Sequence, residues 1–163
     1  MSLEVQRRLK RKERRWHWKE EVEPYTFPLE GREIVIVCVG TSHLAGDALG
    51  PIVGSYLTRL GVKRVYGTLE DPIQALNLEE RLEEIMKKHP PEKSFILAID
   101  ASVGDEGAVG YLSLDSCPLL PGVGDGKPWL PKVGEYSIMG NTHSRARRND
   151  IFWVRLDLVR KMA

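Results

Sequence analysis

Six consecutive apolar residues, Ile34-Val35-Ile36-Val37-Cys38-Val39, constrain this chain more than any other feature. Most are β-branched, none is charged, and Gly40 ends the run. A strand with one face in water alternates apolar and polar side chains, whereas an unbroken run belongs to a strand covered on both faces. The run therefore reads as the centre of a parallel sheet with helices on either side. A polar loop follows, and Pro51 then suits the first turn of a helix, where a missing N–H is no loss. Ile52, Val53, Tyr56, Leu57 and Leu60 recur at helical spacing. Gly61 is the expected C-terminal cap. In this strand–loop–helix unit Asp47 falls just outside the carboxyl end of a central strand, where open α/β sheets carry their sites. A carboxylate that merely serves a helix start is the plainer account of the same position. The loop fits neither the P-loop nor the G-x-G-x-x-G pattern, so a nucleotide phosphate is weakly supported.

The same logic recurs at Phe95-Ile96-Leu97-Ala98-Ile99, a second buried run followed at once by Asp100. Between the two, Val62 to Gly67 reads as a short strand. Asn77, with Glu80 three residues on, approximates a capping box for a helix carrying Leu78, Leu82, Ile85 and Met86. Lys87, Lys88 and His89 complement its carboxyl end, and Pro90-Pro91 stops it. Val109 to Leu114 reads as an edge or antiparallel strand, Cys117 to Gly134 as a long loop or lid, and Val133 to Met139 as the last strand. Asn141 to Arg148 is polar, basic and without periodicity. Asn149 then caps a final helix with Ile151, Phe152, Leu156, Val159 and Met162. This order predicts a three-layer α/β/α sandwich around a mixed, mostly parallel sheet.

Residues 1–30 read as a charged N-terminal arm and 31–163 as a single α/β/α domain. Within the first 23 residues arginines and lysines alternate with glutamates around Trp16 and Trp18, the pattern of a solvated helix or loose arm. Its removal is expected to leave a folded domain. With a formal charge of +1 there is no strong pull toward nucleic acid. No apolar run nears the roughly 20 residues of a membrane span, and no secretory signal is visible. Two cysteines without ligand spacing read as free thiols in a reducing, cytoplasmic compartment.

If the two apolar strands are neighbours, Asp47 and Asp100 emerge on one rim within one or two strand spacings of ~4.8 Å. Two such carboxylates cannot both ionise cheaply, so the pair can hold a proton and activate water against an amide. The same groups plus an imidazole, His43 or His143, could instead bind a divalent metal.

Asp47-Ala48-Leu49-Gly50-Pro51 resembles an element of the bacterial spore germination protease, and Ile99-Asp100-Ala101 resembles its second aspartate motif. The shorter YyaC-type spore proteases are more similar still. That similarity includes Val65 to Glu70, Ala75 to Glu80, Leu119 to Gly124, Leu130 to Gly134, Tyr136 to Ile138 and Leu158 to Ala163. After Gly140 the chain departs from the family pattern. The resemblance implies a phosphorylase/hydrolase-like fold shared with hydrogenase maturation endopeptidases, with Asp47 and Asp100 in the positions of a catalytic pair. Thr41, His43, Glu70 and Lys132 are the expected substrate contacts. In the hydrogenase peptidases the position of Asp47 binds nickel, with a second aspartate and a histidine, but their G-N-x-L loop signature is replaced here by Gly40-Thr41-Ser42-His43.

The expected function is a sporulation-associated peptidase using an aspartate pair on a protein or peptide substrate, with self-association left open. The alternatives are a non-enzymatic sporulation factor binding a protein partner and a nickel-linked maturation endopeptidase. No cofactor or metal is expected. His43 has no helical register with Asp47, and His143 is flanked by Arg145, Arg147 and Arg148, whose charge opposes a cation. Elemental analysis of the purified protein should show no stoichiometric nickel or zinc. About one equivalent, with activity lost on chelation and restored by that ion, would overturn this.

Overall fold

The computed structural model describes residues 14–122, 126–127, 129–146 and 154–163. Among the described residues six strands form one sheet: β1 (Arg14–His17), β2 (Glu33–Cys38), β3 (Val65–Tyr66), β4 (Ser94–Gly104), β5 (Tyr111–Asp115) and β6 (Tyr136–Ser144). Their order is β1-β5-β6-β4-β2-β3. Neighbours from β6 through β4 and β2 to β3 pair in parallel, while β5 runs antiparallel to both β6 and β1. The helices are α1 (Leu49–Arg59), α2 (Leu78–Lys88) and α3 (Leu156–Met162).

The two apolar runs are adjacent central strands, paired from Glu33↔Ser94 to Cys38↔Ile99. Because side chains alternate along a strand, each run serves two cores. Val35, Val37 and Val39 join Ile96 and Ala98 under Leu78, Leu82 and Ile85 of α2. Ile36, Cys38 and Ile99 face the other way, toward Val53 and Leu57 of α1. Leu49 and Ile52 of α1 meet Val159 and Met162 of α3 on that same side. Helices on both faces of a mixed, mostly parallel sheet make the three-layer α/β/α sandwich.

Several local expectations change. The strand read at Val62 to Gly67 pairs only over Val65–Tyr66. Asn77 does not cap α2: its Oδ1 accepts from the Gln74 N–H at 2.9 Å and its Nδ2 donates to the Pro72 carbonyl at 3.0 Å. That side chain closes the preceding turn instead. His89 ends α2, and its Nε2 lies 2.7 Å from the Tyr66 hydroxyl. The expected start of the last helix, Asn149 with Ile151 and Phe152, lies outside the described residues, and α3 is described from Leu156.

The charged N-terminal stretch is not a detached arm where it is described. Arg14–His17 forms β1 and adds an edge to the sheet, from Arg14↔Leu114 to His17↔Tyr111. Trp18 packs against the cluster of Leu49, Ile52, Val159 and Met162, and the ammonium groups of Lys19 and Lys161 lie 5.3 and 5.4 Å from the centre of its ring. Further on, the Phe27 ring meets Phe95 and Tyr136 at 5.8 and 5.9 Å. Alternating charges hid this strand, because an edge strand needs only one buried face and takes charged residues readily. Removal of residues 1–23 would therefore take away an edge strand and the packing of Trp18. Trp18→Ala should lower the unfolding free energy by about 2 kcal/mol, as expected for losing a half-buried aromatic, and removal of residues 1–23 should cost more. Urea titration of both variants checks this, and unchanged midpoints would show that β1 and Trp18 carry no stability.

Candidate active site

The loop from β2 to α1 is held closed by backbone contacts. Gly50, in the first turn of α1, sits so near the Val39 peptide that a Cβ there would overlap it. Gly40 has φ +139°, and a Cβ on it would overlap the Asp47 carbonyl. The Thr41 N–H donates to that carbonyl at 3.1 Å, and the Asp47 N–H donates to the Leu44 carbonyl at 3.0 Å. Asp47 thus ends a tight 3₁₀ turn, Ala45–Asp47, two residues before α1 begins at Leu49. The turn packs against β4, β6 and α3.

Asp100 lies within β4 instead of following it, because pairing with β6 carries β4 on to Gly104. Its register partner on β6 is Met139, and the Val39 N–H donates to the Ile99 carbonyl at 2.7 Å. Asp100 therefore stands one residue past the end of the β2–β4 ladder, beside the point where the Asp47 loop departs. Its Oδ1 accepts from the Ala101 N–H at 2.8 Å. Burial, helped by the Asp100 charge, pushes the Cys38 thiol up to about 12. That coupling places the carboxylate within electrostatic reach of the β2 end.

The segment after Gly140, expected to be irregular, continues β6 as far as Ser144. Asn141 pairs with Ser102 and His143 with Val103, so the register shifts there by one residue and Thr142 is the extra one. Thr142 is buried, and its hydroxyl donates to the Gly46 carbonyl at 2.6 Å. The His143 Nδ1 lies 3.0 Å from the same hydroxyl. Sequence reading singled out His143 without its setting and missed Thr142. A threonine in a polar run looks like loop, and only the pairing with β4 makes it a bulge.

Of the four expected substrate contacts, Thr41 and His43 belong to the loop that closes on Asp47, with the His43 N–H 3.3 Å from the Thr41 hydroxyl. His43 is exposed. Glu70 is exposed in the next loop along the rim, which the Gly40 N–H joins through the Ile73 carbonyl at 2.8 Å, and its Oε2 accepts from the Ser55 hydroxyl at 3.4 Å. Lys132 adjoins Val133, which is buried in the same cluster as Val39 and Ile73. It precedes Glu135, whose N–H donates to the Ile96 carbonyl near the amino end of β4. Asp100 lies four residues further along that strand, about 13 Å at ordinary strand rise. Among the described residues, no group of three or more His, Cys, Asp or Glu side chains is placed to hold a metal ion. None of the described helices is long and apolar enough to cross a membrane.

This architecture, with two carboxylates beside the carboxyl ends of adjacent parallel strands, belongs to an α/β sandwich protein. The chain itself belongs to the family described as "Protein of unknown function (DUF1256)", which matches residues 8–163. It is 42% identical over 112 residues to the uncharacterized protein YyaC of Bacillus subtilis (strain 168). That alignment covers 68% of this chain and 53% of the relative, so the chain spans about half the relative's length. No solved structure matches the chain.

The buried thiol has a measurable consequence. Cys38 ordinarily would titrate near 9, and its folded value is raised to about 12. The folded state therefore holds the proton that the unfolded state releases, so stability is complete below pH 9 and falls as pH rises above it. The fall is about 1.4 kcal/mol per pH unit in that window. Cys38→Ala should flatten the Cys38 part of this alkaline loss, read from urea midpoints between pH 8 and 10.5. An equal slope in the variant would show that the thiol is not the source.

Proposed function

We propose that this chain is an aspartate-dependent peptidase acting in sporulation, with Asp47 and Asp100 activating water for hydrolysis of a peptide bond. The observation that carries the reading is the rim itself: Asp47 closes the loop leaving β2, and Asp100 stands one residue past the β2–β4 ladder. Similarity to the germination protease motifs supports the peptide substrate and the cellular role. In this reading one carboxyl group holds a proton while the other, ionised, takes a proton from water as it attacks the carbonyl carbon. The protonated partner then donates to the departing nitrogen. The half-buried setting of both groups favours sharing one proton over two full charges.

Activity should therefore fall once pH is high enough to ionise both groups, whereas metal-bound water would gain nucleophile over the same rise. Asp47→Asn and Asp100→Asn should each remove cleavage of a peptide library by at least about 100-fold, with urea midpoints near that of the unchanged protein. Full activity in either variant would end that residue's catalytic role. Cooperative unfolding at much lower urea would make it a structural cap. Absence of turnover by the unchanged protein, with and without chelator, would favour a non-enzymatic scaffold binding a protein partner. Turnover lost on chelation would favour the metal-linked endopeptidase.

A further inference from the structure

The β6 bulge joins two elements that the sequence separates by almost the whole domain. Thr142 is 2% exposed, and its hydroxyl contacts both the Gly46 carbonyl and the His143 ring. A threonine hydroxyl has one proton, and a carbonyl can only accept. The proton on Thr142 is committed to Gly46 at 2.6 Å, so the contact with His143 must run the other way, with Nδ1–H donating to the hydroxyl oxygen. This puts the lone pair of the neutral ring on Nε2. The bulge supplies the aim, because an unopposed residue in a ladder turns its side chain out of the regular alternation.

We propose that Thr142 is a positioning residue of the Asp47 and Asp100 site, holding the Ala45–Asp47 turn and fixing His143 in its Nδ1–H form through one hydroxyl. His143 then presents Nε2 as the nitrogen that accepts a proton. Its use in hydrolysis rests on the peptidase reading of the two aspartates. The hydrogen-bond arrangement does not.

The test uses the full chain, labelled with nitrogen-15, with the His143 ring read by long-range proton–nitrogen correlation and assigned by its loss in His143→Gln. Nδ1 of the unchanged protein should carry a proton. In Thr142→Val the neutral ring should shift toward the Nε2–H form. Amide exchange at Thr41 and Asp47 should rise about tenfold, the loss of one hydrogen bond, while exchange at Val37 stays the same. Thr142→Ser keeps the hydroxyl and should restore both signals. An unprotonated Nδ1 in the unchanged protein overturns the proposal without requiring any Thr142 variant to fold. Unaltered exchange at Thr41 and Asp47 in Thr142→Val overturns it as well. In peptide cleavage, Thr142→Val should lower kcat about tenfold and leave KM within about twofold. Full activity of the aspartate variants, with Nδ1 protonated, would sink the peptidase reading and leave the Thr142 arrangement standing.

Discussion

The close approach of α1 to the end of β2 is the contact on which the rest of the site depends. Gly50 lies against the Val39 peptide, so the helix starts almost on top of the strand it follows. The intervening loop has no slack, and Gly40, Thr41 and Asp47 are drawn into one closed turn by backbone contacts. A side chain at position 50 would push α1 off the sheet and open that turn. The Gly in Asp47-Ala48-Leu49-Gly50-Pro51 is thus a packing requirement that sets where the carboxylate stands.

A second constraint comes from the other side of the rim. β4 and β6 run together well past the point where β2 ends, so the rim is stepped. Asp100 occupies the tread of that step, and the last residues of β6 form a wall beside it. The wall reaches the Asp47 turn through Thr142. Loop and wall therefore reinforce each other: the glycine contacts draw the turn inward, and the buried hydroxyl holds it from the opposite side. Cys38 lies beneath, its thiol kept neutral by burial, and supplies volume where a charged sulfur would be costly.

The N-terminal strand shows how a polar sequence can still belong to a sheet. Arg14 and Arg15 pair with Leu114 and Ser113 while their charged ends stay near water. Trp18 then carries the chain over to the α1–α3 side, where its ring meets apolar side chains from both helices. No run of hydrophobic residues announces such an element. Its existence depends on β5 offering an open edge and on two helices leaving room for one indole.

The sequence by itself determined the central strands, the two helices between them and the three-layer arrangement. Doubly buried strands and amphipathic helices carry their environment in their own periodicity. It also marked Asp100, a carboxylate directly after an apolar run, and Asp47, in the loop between an apolar strand and its helix. What only the tertiary structure decided is which polar segments join those parts. Arg14–His17 became a strand and Asn141–Ser144 continued one. Thr142 gained a role through a carbonyl almost a hundred residues away. The physical reason is that polar side chains take their hydrogen bonds from whatever neighbours the fold supplies, and a one-residue register shift between β4 and β6 is enough to choose those neighbours.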